Sequence, residues 1–193
     1  MQNFSKSDSP AENVVFHAKI EDIQGGITLC SADFVADDIV PAGTVVYKDS
    51  NGLFHALKTA KVVTAANNTA TTYQVAKGHN FKVGEFVASL TGAKAYAITA
   101  IDKTNADYDV LTVGTTLGVA IAQNAVLFQA AAESSTTTSA FKGTPYAVTG
   151  HGVQIKVGDN HLVDAYLRAT LFEAVAPPVT SQIKAAIPQI LWI

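Results

Sequence analysis

The sequence predicts a mainly β protein, built from small antiparallel β-barrel or sandwich modules with an N-terminal arm and a short C-terminal helix. Across residues 71–118, apolar and polar residues alternate with a period of two in short runs, as they do in half-buried strands. Turn residues, mainly glycine, asparagine and aspartate, separate these runs. Apolar residues make up 48% of the 193 residues and charged residues only 15%, so the chain can bury a core.

Residues 1–26 are predicted to be an N-terminal arm that anchors the protein to a partner. Residues 1–13 are polar and contain Pro10, so we expect no independent fold there. The run Val14-Val15-Phe16 is a candidate for a short strand. Two alternatives stay open for the arm: it becomes ordered against a partner, or it is a frayed tail. The first ten residues contain no apolar run of the kind found in secretory signals.

Residues 27–130 are predicted to form a β-barrel-like domain with a further β-module inserted at about residues 62–113. The strongest local signal is Asn51-Gly52, because both residues tolerate positive φ and lie between two β-prone runs. We therefore expect a hairpin with strands at residues 44–48 and 53–57. The segment 102–107, DKTNAD, predicts a second turn between two strands.

Residues 131–176 are predicted to be a β-hairpin region, and residues 177–193 a C-terminal helix and tail. Val179, Ile183 and Ile187 are spaced four apart, which is typical of one apolar helix face. Thr180 or the serine after it is expected to cap the start of this helix, and Pro188 to end it.

No motif in the sequence predicts catalysis, a metal site or a cofactor. The five histidines lack the spacing of a metal motif, and the segment 102–109 lacks the glycine and the final acid of a calcium loop. The acidic residues Asp33, Asp37 and Asp38 are more typical of a solvated loop than of an acid–base pair. Cys30 is interpreted as a buried small apolar residue. A net charge of −3 gives no electrostatic footprint for nucleic acid or an anionic membrane.

Several segments resemble phage proteins. The segments 39–57 (IVPAGTVVYKDSNGLFHAL) and 116–130 (TLGVAIAQNAVLFQA) resemble small β-barrel head decoration proteins. The segments 71–88 (TTYQVAKGHNFKVGEFVA), 97–118 (AITAIDKTNADYDVLTVGTTLG) and 177–190 (PPVTSQIKAAIPQI) resemble head fibre proteins of phages and prophages of gut bacteria. The resemblance covers about residues 27–193, and residues 1–26 lie outside it. It implies a non-enzymatic protein on the outer capsid surface of the virion, assembled in the host cytoplasm, bound to the major capsid protein and often trimeric.

The candidate interface combines the N-terminal arm with the apolar C-terminal segment. Its residues are Val14, Phe16, Ile183, Ile187, Ile190, Leu191, Trp192 and Ile193. The C-terminal four are apolar and would form a sticky patch in water, so we expect this segment to pack between subunits or against the capsid. The alternative is that it folds back onto its own β-module.

Two other functions stay open. A carbohydrate-binding adhesin, with host-surface or mucus glycans as ligands, would need an exposed aromatic platform, for which the candidates are Tyr47, Tyr73, Tyr96 and Tyr146. A β-barrel enzyme would need titratable side chains clustered in a cleft, and the sequence offers no candidate set for it.

Overall fold

A computed structural model describes residues 14–156 and 158–193, and 40% of the residues are in strands against 5% in helices. The predicted mainly β fold is confirmed, and so is the single short C-terminal helix. The strands are β1 (Phe16–Asp22), β2 (Ile27–Leu29), β3 (Ile39–Val40), β4 (Val45–Lys48), β5 (Phe54–Ala56), β6 (Thr59–Lys61), β7 (Thr72–Ala76), β8 (Phe86–Ala88), β9 (Ala95–Asp102), β10 (Tyr108–Val113), β11 (Val126–Ala130), β12 (Ala147–Thr149), β13 (Val153–Gln154), β14 (His161–Val163), β15 (Ala165–Leu171) and β16 (Ile190–Trp192). The helix is α1 (Ser181–Ala186).

One sheet of the fold curls into a half-barrel, and the larger sheet has eight strands. Its order is β1-β15-β12-β4-β5-β2-β14, and β16 also pairs with β15. Strands from both ends of the chain therefore share this sheet. The described part of the predicted arm is a strand of it, because Phe16 pairs with Leu171 and Asp22 with Tyr166.

A second sheet has six strands, in the order β6-β11-β8-β9-β10-β7, and lies in the chain between β5 and β12, while β3 and β13 pair as a separate two-stranded sheet. The module that the sequence places at about residues 62–113 falls within it. Val62, directly after β6, bridges to Val75 of β7, so the two ends of the sheet order meet. The sheet thus curls around its own apolar cluster, which includes Tyr73, Ile98 and Leu111.

The predicted hairpin is confirmed between β4 and β5. Val46 pairs with Ala56 and Lys48 with Phe54, and Gly52 in the loop has a φ of 89°. The Asp49 carboxylate accepts hydrogen bonds from the loop backbone, which fixes the turn. Because side chains alternate along β5, Phe54 and Ala56 are buried while the histidine between them reaches the other face.

The C-terminal segment closes the fold. The Thr180 hydroxyl accepts a hydrogen bond from the Ile183 backbone N–H at 3.1 Å, so the predicted N-cap is correct. After α1, strand β16 runs parallel to β15, with Ile190 opposite Ala169. Ile183, Ile187 and Ile190 join one core cluster with residues of both sheets, among them Leu171 and Phe128. This central core holds the two sheets together.

Candidate functional site

The predicted interface residues fall into two groups. Ile183, Ile187 and Ile190 are at most 2% exposed and pack inside the chain's own core, so their assignment to a subunit interface is corrected. The apolar face of α1 and the inward face of β16 meet β15 of the same chain, which is the fold-back alternative. Leu191 and Ile193 point the other way and are exposed.

The remaining three interface candidates lie nearby. Val14 is exposed. Phe16 is half-buried, with its ring 5.4 Å from that of Tyr166. Trp192 is half-buried against the central core, and its buried indole Nε1 has no hydrogen-bond partner. The structure therefore leaves Val14, Leu191 and Ile193 as the accessible part of the predicted set.

A surface cavity of about 420 Å³ lies beside the start of β1; we call it the N-terminal groove. Most of its walls are apolar, formed by Val14, Val15, Phe16, Ile39, Pro41, Ala42 and Val175. Val14 is 71% exposed, Ile39 62% and Val175 40%. Lys19 stands at its polar side, where its Nζ donates to the Gly150 carbonyl at 3.1 Å. This groove can bind an apolar side chain or segment, and only its Val14 and Phe16 were predicted from sequence.

The four tyrosines considered as a sugar platform do not form one. Tyr47, Tyr73 and Tyr96 are at most 9% exposed, as strand residues of the core. Only Tyr146 is substantially exposed, at 45%, and its ring lies 6.1 Å from that of Phe54.

Three potential metal ligands meet where β2 and β5 adjoin: Cys30, Asp33 and His55, here called the Cys-Asp-His cluster. The His55 Nδ1 lies 2.7 Å from Asp33 Oδ2. Asp33 was expected in a solvated acidic loop with two other aspartates, and the structure instead directs it to this histidine. His55 lies 22 residues beyond Asp33 in the chain, and only the pairing of β2 with β5 brings it to the other two ligands.

A buried ion pair borders the cluster. Lys58, whose side chain is 1% exposed, pairs with Glu85 at 2.6 Å and also donates to the Asp33 carbonyl. Burial lowers the pKa of Lys58, although Glu85 opposes this shift. Tyr47 stacks on His55 with ring centroids 5.2 Å apart, and burial together with the Asp33 charge raises the pKa of Tyr47.

A second group of polar side chains lies where β7 ends and β10 begins. The Asp109 carboxylate accepts from Lys77 Nζ at 2.7 Å and lies 3.3 Å from His79 Nε2, which makes no hydrogen bond. The His79 Nδ1 accepts from the Phe81 backbone N–H at 2.9 Å. Burial lowers the pKa of His79 to about 4, with Asp109 only partly opposing it.

The segment considered as a calcium loop is a turn that caps itself. The Asp102 carboxylate accepts from the Thr104 backbone N–H at 2.9 Å, which lowers the pKa of Asp102. The Asn105 side chain accepts from the Asp107 backbone N–H at 2.8 Å. The interpretation as a turn is therefore correct.

Comparison with known proteins adds no relative: no family model, curated protein or solved structure matches this chain. Among the described residues, no helix has the length and apolarity needed to cross a membrane.

Proposed function

We propose that the protein is a structural virion protein, a capsid decoration or head fibre protein on the outer surface of a phage head. In this role it stabilises the capsid or presents a surface for attachment, and it carries out no catalysis. The resemblance of residues 27–193 to such proteins suggests this class of virion protein. The observation that supports the proposal is the N-terminal groove, which suits contact with another protein.

The groove suits a docking surface because its apolar side chains are exposed together. Single exposed apolar residues are ordinary on any protein, whereas a shared patch marks a contact site. Val14, Ile39 and Val175 come from three separate parts of the chain and line one concave surface. Burial of such side chains contributes roughly 25 cal/mol per Å² of apolar area removed from water. We assign this groove to contact with the major capsid protein, with residues 1–26 as the anchoring end.

The binding test uses phage heads assembled without this protein. Wild-type protein is expected to co-sediment with such heads to saturation. Val14→Asp and Ile39→Asp place a charge in the groove, which must be desolvated on docking, so each is expected to weaken binding at least about tenfold. Leu162→Asp is the matched control, because Leu162 is 72% exposed but lies outside the groove. Equal binding by all four proteins would refute the role of the groove, and no binding by wild type would refute the proposed function.

We also propose that the protein is a homotrimer, as the resemblance implies. Sedimentation velocity on the purified chain is expected to give three times the chain mass of 20.2 kDa. A single monomeric species at micromolar concentration would contradict the proposed trimer. It would not bear on head binding, which the co-sedimentation assay tests separately. The carbohydrate-binding alternative has only Tyr146 in its favour among the tyrosines considered, so we do not adopt it.

A further inference from the structure

The Cys-Asp-His cluster gathers a thiol, a carboxylate and an imidazole in one place. One donor atom from each of Cys30, Asp33 and His55 lies within 4.8 Å of the other two. Cys30 is buried, while the Asp33 and His55 side chains are 26% and 16% exposed, which leaves an entry path for an ion. We propose that these three side chains form a binding site for a zinc ion, a site beyond the proposed capsid role.

The donor set fits zinc in particular. Thiolate and imidazole ligands select zinc and its neighbours among the transition metals, and carboxylate is its third common ligand. A cysteine and a second ligand separated by two residues, here Cys30 and Asp33, have the spacing of the first ligand pair in many structural zinc sites. Magnesium and calcium prefer sites made only of oxygen ligands and bind weakly to a site that contains a thiol.

The backbone holds the three ligands on a rigid frame. The Cys30 N–H donates to the Phe54 carbonyl at 2.8 Å, which ties the end of β2 to the residue before His55. A 3-10 turn over residues 31–33 then directs Asp33 back towards the histidine. The Tyr47 ring, nearly parallel to the imidazole at an angle of 16°, fixes its plane.

A second carboxylate lies near the other ring nitrogen of the histidine. Asp49 Oδ2 lies 3.6 Å from His55 Nε2, on the far side of the ring from Asp33. A histidine that binds a metal through one nitrogen commonly donates its other N–H to a carboxylate, which fixes the tautomer. Because an ionised carboxylate only accepts, the 2.7 Å contact with Asp33 Oδ2 implies a hydrogen on Nδ1 before the metal binds. Metal binding moves that hydrogen to Nε2, facing Asp49, and releases the thiol proton of Cys30 to solvent.

Zinc binding requires the His55–Asp33 pair to open and the Cys30 sulfur, which lies within 4.8 Å of a donor atom on each of the other two residues, to close by at most about 1.3 Å. Zinc at bond lengths of about 2.0 Å to nitrogen and oxygen and about 2.3 Å to sulfur sets these ligands roughly 3.3–3.6 Å apart. The His55–Asp33 pair, at 2.7 Å, would open by about 0.6 Å on this geometry. The surrounding charges favour a cation, since Asp33, Asp49 and Glu85 carry three negative charges against the two positive charges of Lys58 and Lys82, whose Nζ donates to the Ala32 carbonyl at 2.8 Å.

The test titrates the full-length, chelator-treated protein with Co²⁺ and then displaces it with Zn²⁺. We expect one Co²⁺ per chain, the thiolate-to-cobalt charge-transfer band and the visible bands of a tetrahedral site, and loss of all of them on adding Zn²⁺. Cys30→Ala should abolish the charge-transfer band, and His55→Gln should abolish saturable binding. Asp49→Asn removes the charge near Nε2, while its amide oxygen can still accept from the Asn51 and Leu53 N–H groups of the turn, so it should retain the band but weaken affinity roughly 10–100-fold.

His151→Ala is the matched control, because His151 lies 3.5 Å from Asp164 in an exposed histidine–aspartate pair without a thiol. It should bind Co²⁺ as wild type does. Wild-type protein that binds neither ion stoichiometrically, or variants that bind unchanged, would overturn the proposal. If a ligand variant fails to fold, zinc-edge X-ray absorption of the zinc-loaded wild-type protein identifies the atoms bound to the metal. One sulfur neighbour supports the site, and a shell of nitrogen and oxygen alone refutes it.

Discussion

The protonation of His79 should make the protein less stable in mild acid. Its imidazole is buried, with 1% of the side chain exposed, and Nδ1 already accepts from the Phe81 N–H. A second proton must go to Nδ1, where it would break this hydrogen bond and place a cation in the interior. The Asp109 carboxylate faces Nε2, while the nearby Lys103 and Lys58 charges oppose protonation, so the folded protein keeps His79 neutral.

The sign and size of the effect follow from the two pKa values. The pKa of His79 is lowered to about 4 in the folded protein, against 6.5 when unperturbed. Because the unfolded chain binds this proton at higher pH, the free energy of unfolding falls as the pH drops below about 6.5. The loss due to His79 amounts to roughly 2 kcal/mol between pH 7 and pH 5 and roughly 3 kcal/mol by pH 4.

Urea denaturation at several pH values measures this loss. His79→Asn is the informative variant, because an asparagine amide oxygen can replace Nδ1 as the acceptor for the Phe81 N–H without titrating. Between pH 7 and pH 5, the free energy of unfolding of wild type should fall by about 2 kcal/mol more than that of His79→Asn. His151→Asn, at an exposed histidine, should leave the pH dependence of wild type unchanged.

A constant difference between wild type and His79→Asn across this range would refute the reasoning. An independent reading comes from NMR titration of the histidine side chains in the folded wild-type protein. A His79 resonance that titrates near pH 6.5 would show that burial does not keep the imidazole neutral.

Two further predictions concern packing. Ile190→Ala should lower the free energy of unfolding by about 2–4 kcal/mol, because the Ile190 side chain fills the central core. Leu191→Ala, at a 58% exposed site, should change the free energy of unfolding by less than about 0.5 kcal/mol. Thermal unfolding monitored by circular dichroism measures both variants. Gly143→Ala should destabilise by at least about 1–3 kcal/mol, since a Cβ there would lie 2.0 Å from a ring carbon of the buried Tyr47. Gly114→Ala is its control, with the nearest side-chain atom at 3.5 Å and no positive φ; equal midpoints within either pair would contradict the packing described.

Local features of the fold could be predicted from sequence because local chemistry determines them. Asn51-Gly52 predicts the β4–β5 hairpin through the backbone conformations that these residues accept, and Thr180 predicts a helix start through its hydroxyl. Strand partners far apart in the chain could not be predicted in this way. A period of two tells which side chains share a face, but it does not say that Phe16 will pair with Leu171. The prediction of an arm extending to residue 26 therefore missed β1.

The candidate sites depend on the same distant pairings. In the sequence, Cys30 is an isolated thiol, and only the pairing of β2 with β5 places it near His55. The N-terminal groove likewise forms only because Val14, Ile39 and Val175 meet at one surface. Lys58 gives no sequence sign of its burial, because a lysine is ordinarily exposed and its charge is compensated in the fold by Glu85, 27 residues further along the chain. Functional side chains contributed by single loops would have been easier to recognise.

The C-terminal tail shows why its apolar residues supported two opposite interpretations. Burial of Ile190 to Ile193 is favourable whether the covering surface belongs to the same chain or to another, so hydrophobicity alone cannot choose between them. The β-strand geometry divides the residues instead. Ile190 and Trp192 turn towards β15 and the central core, while Leu191 and Ile193 face outwards and stay exposed. Deleting residues 188–193 would remove both faces at once and confuse folding with association. Point substitutions on one face at a time separate the two, with Ile190→Ala reporting on folding and Leu191→Ala on any contact made with a second chain.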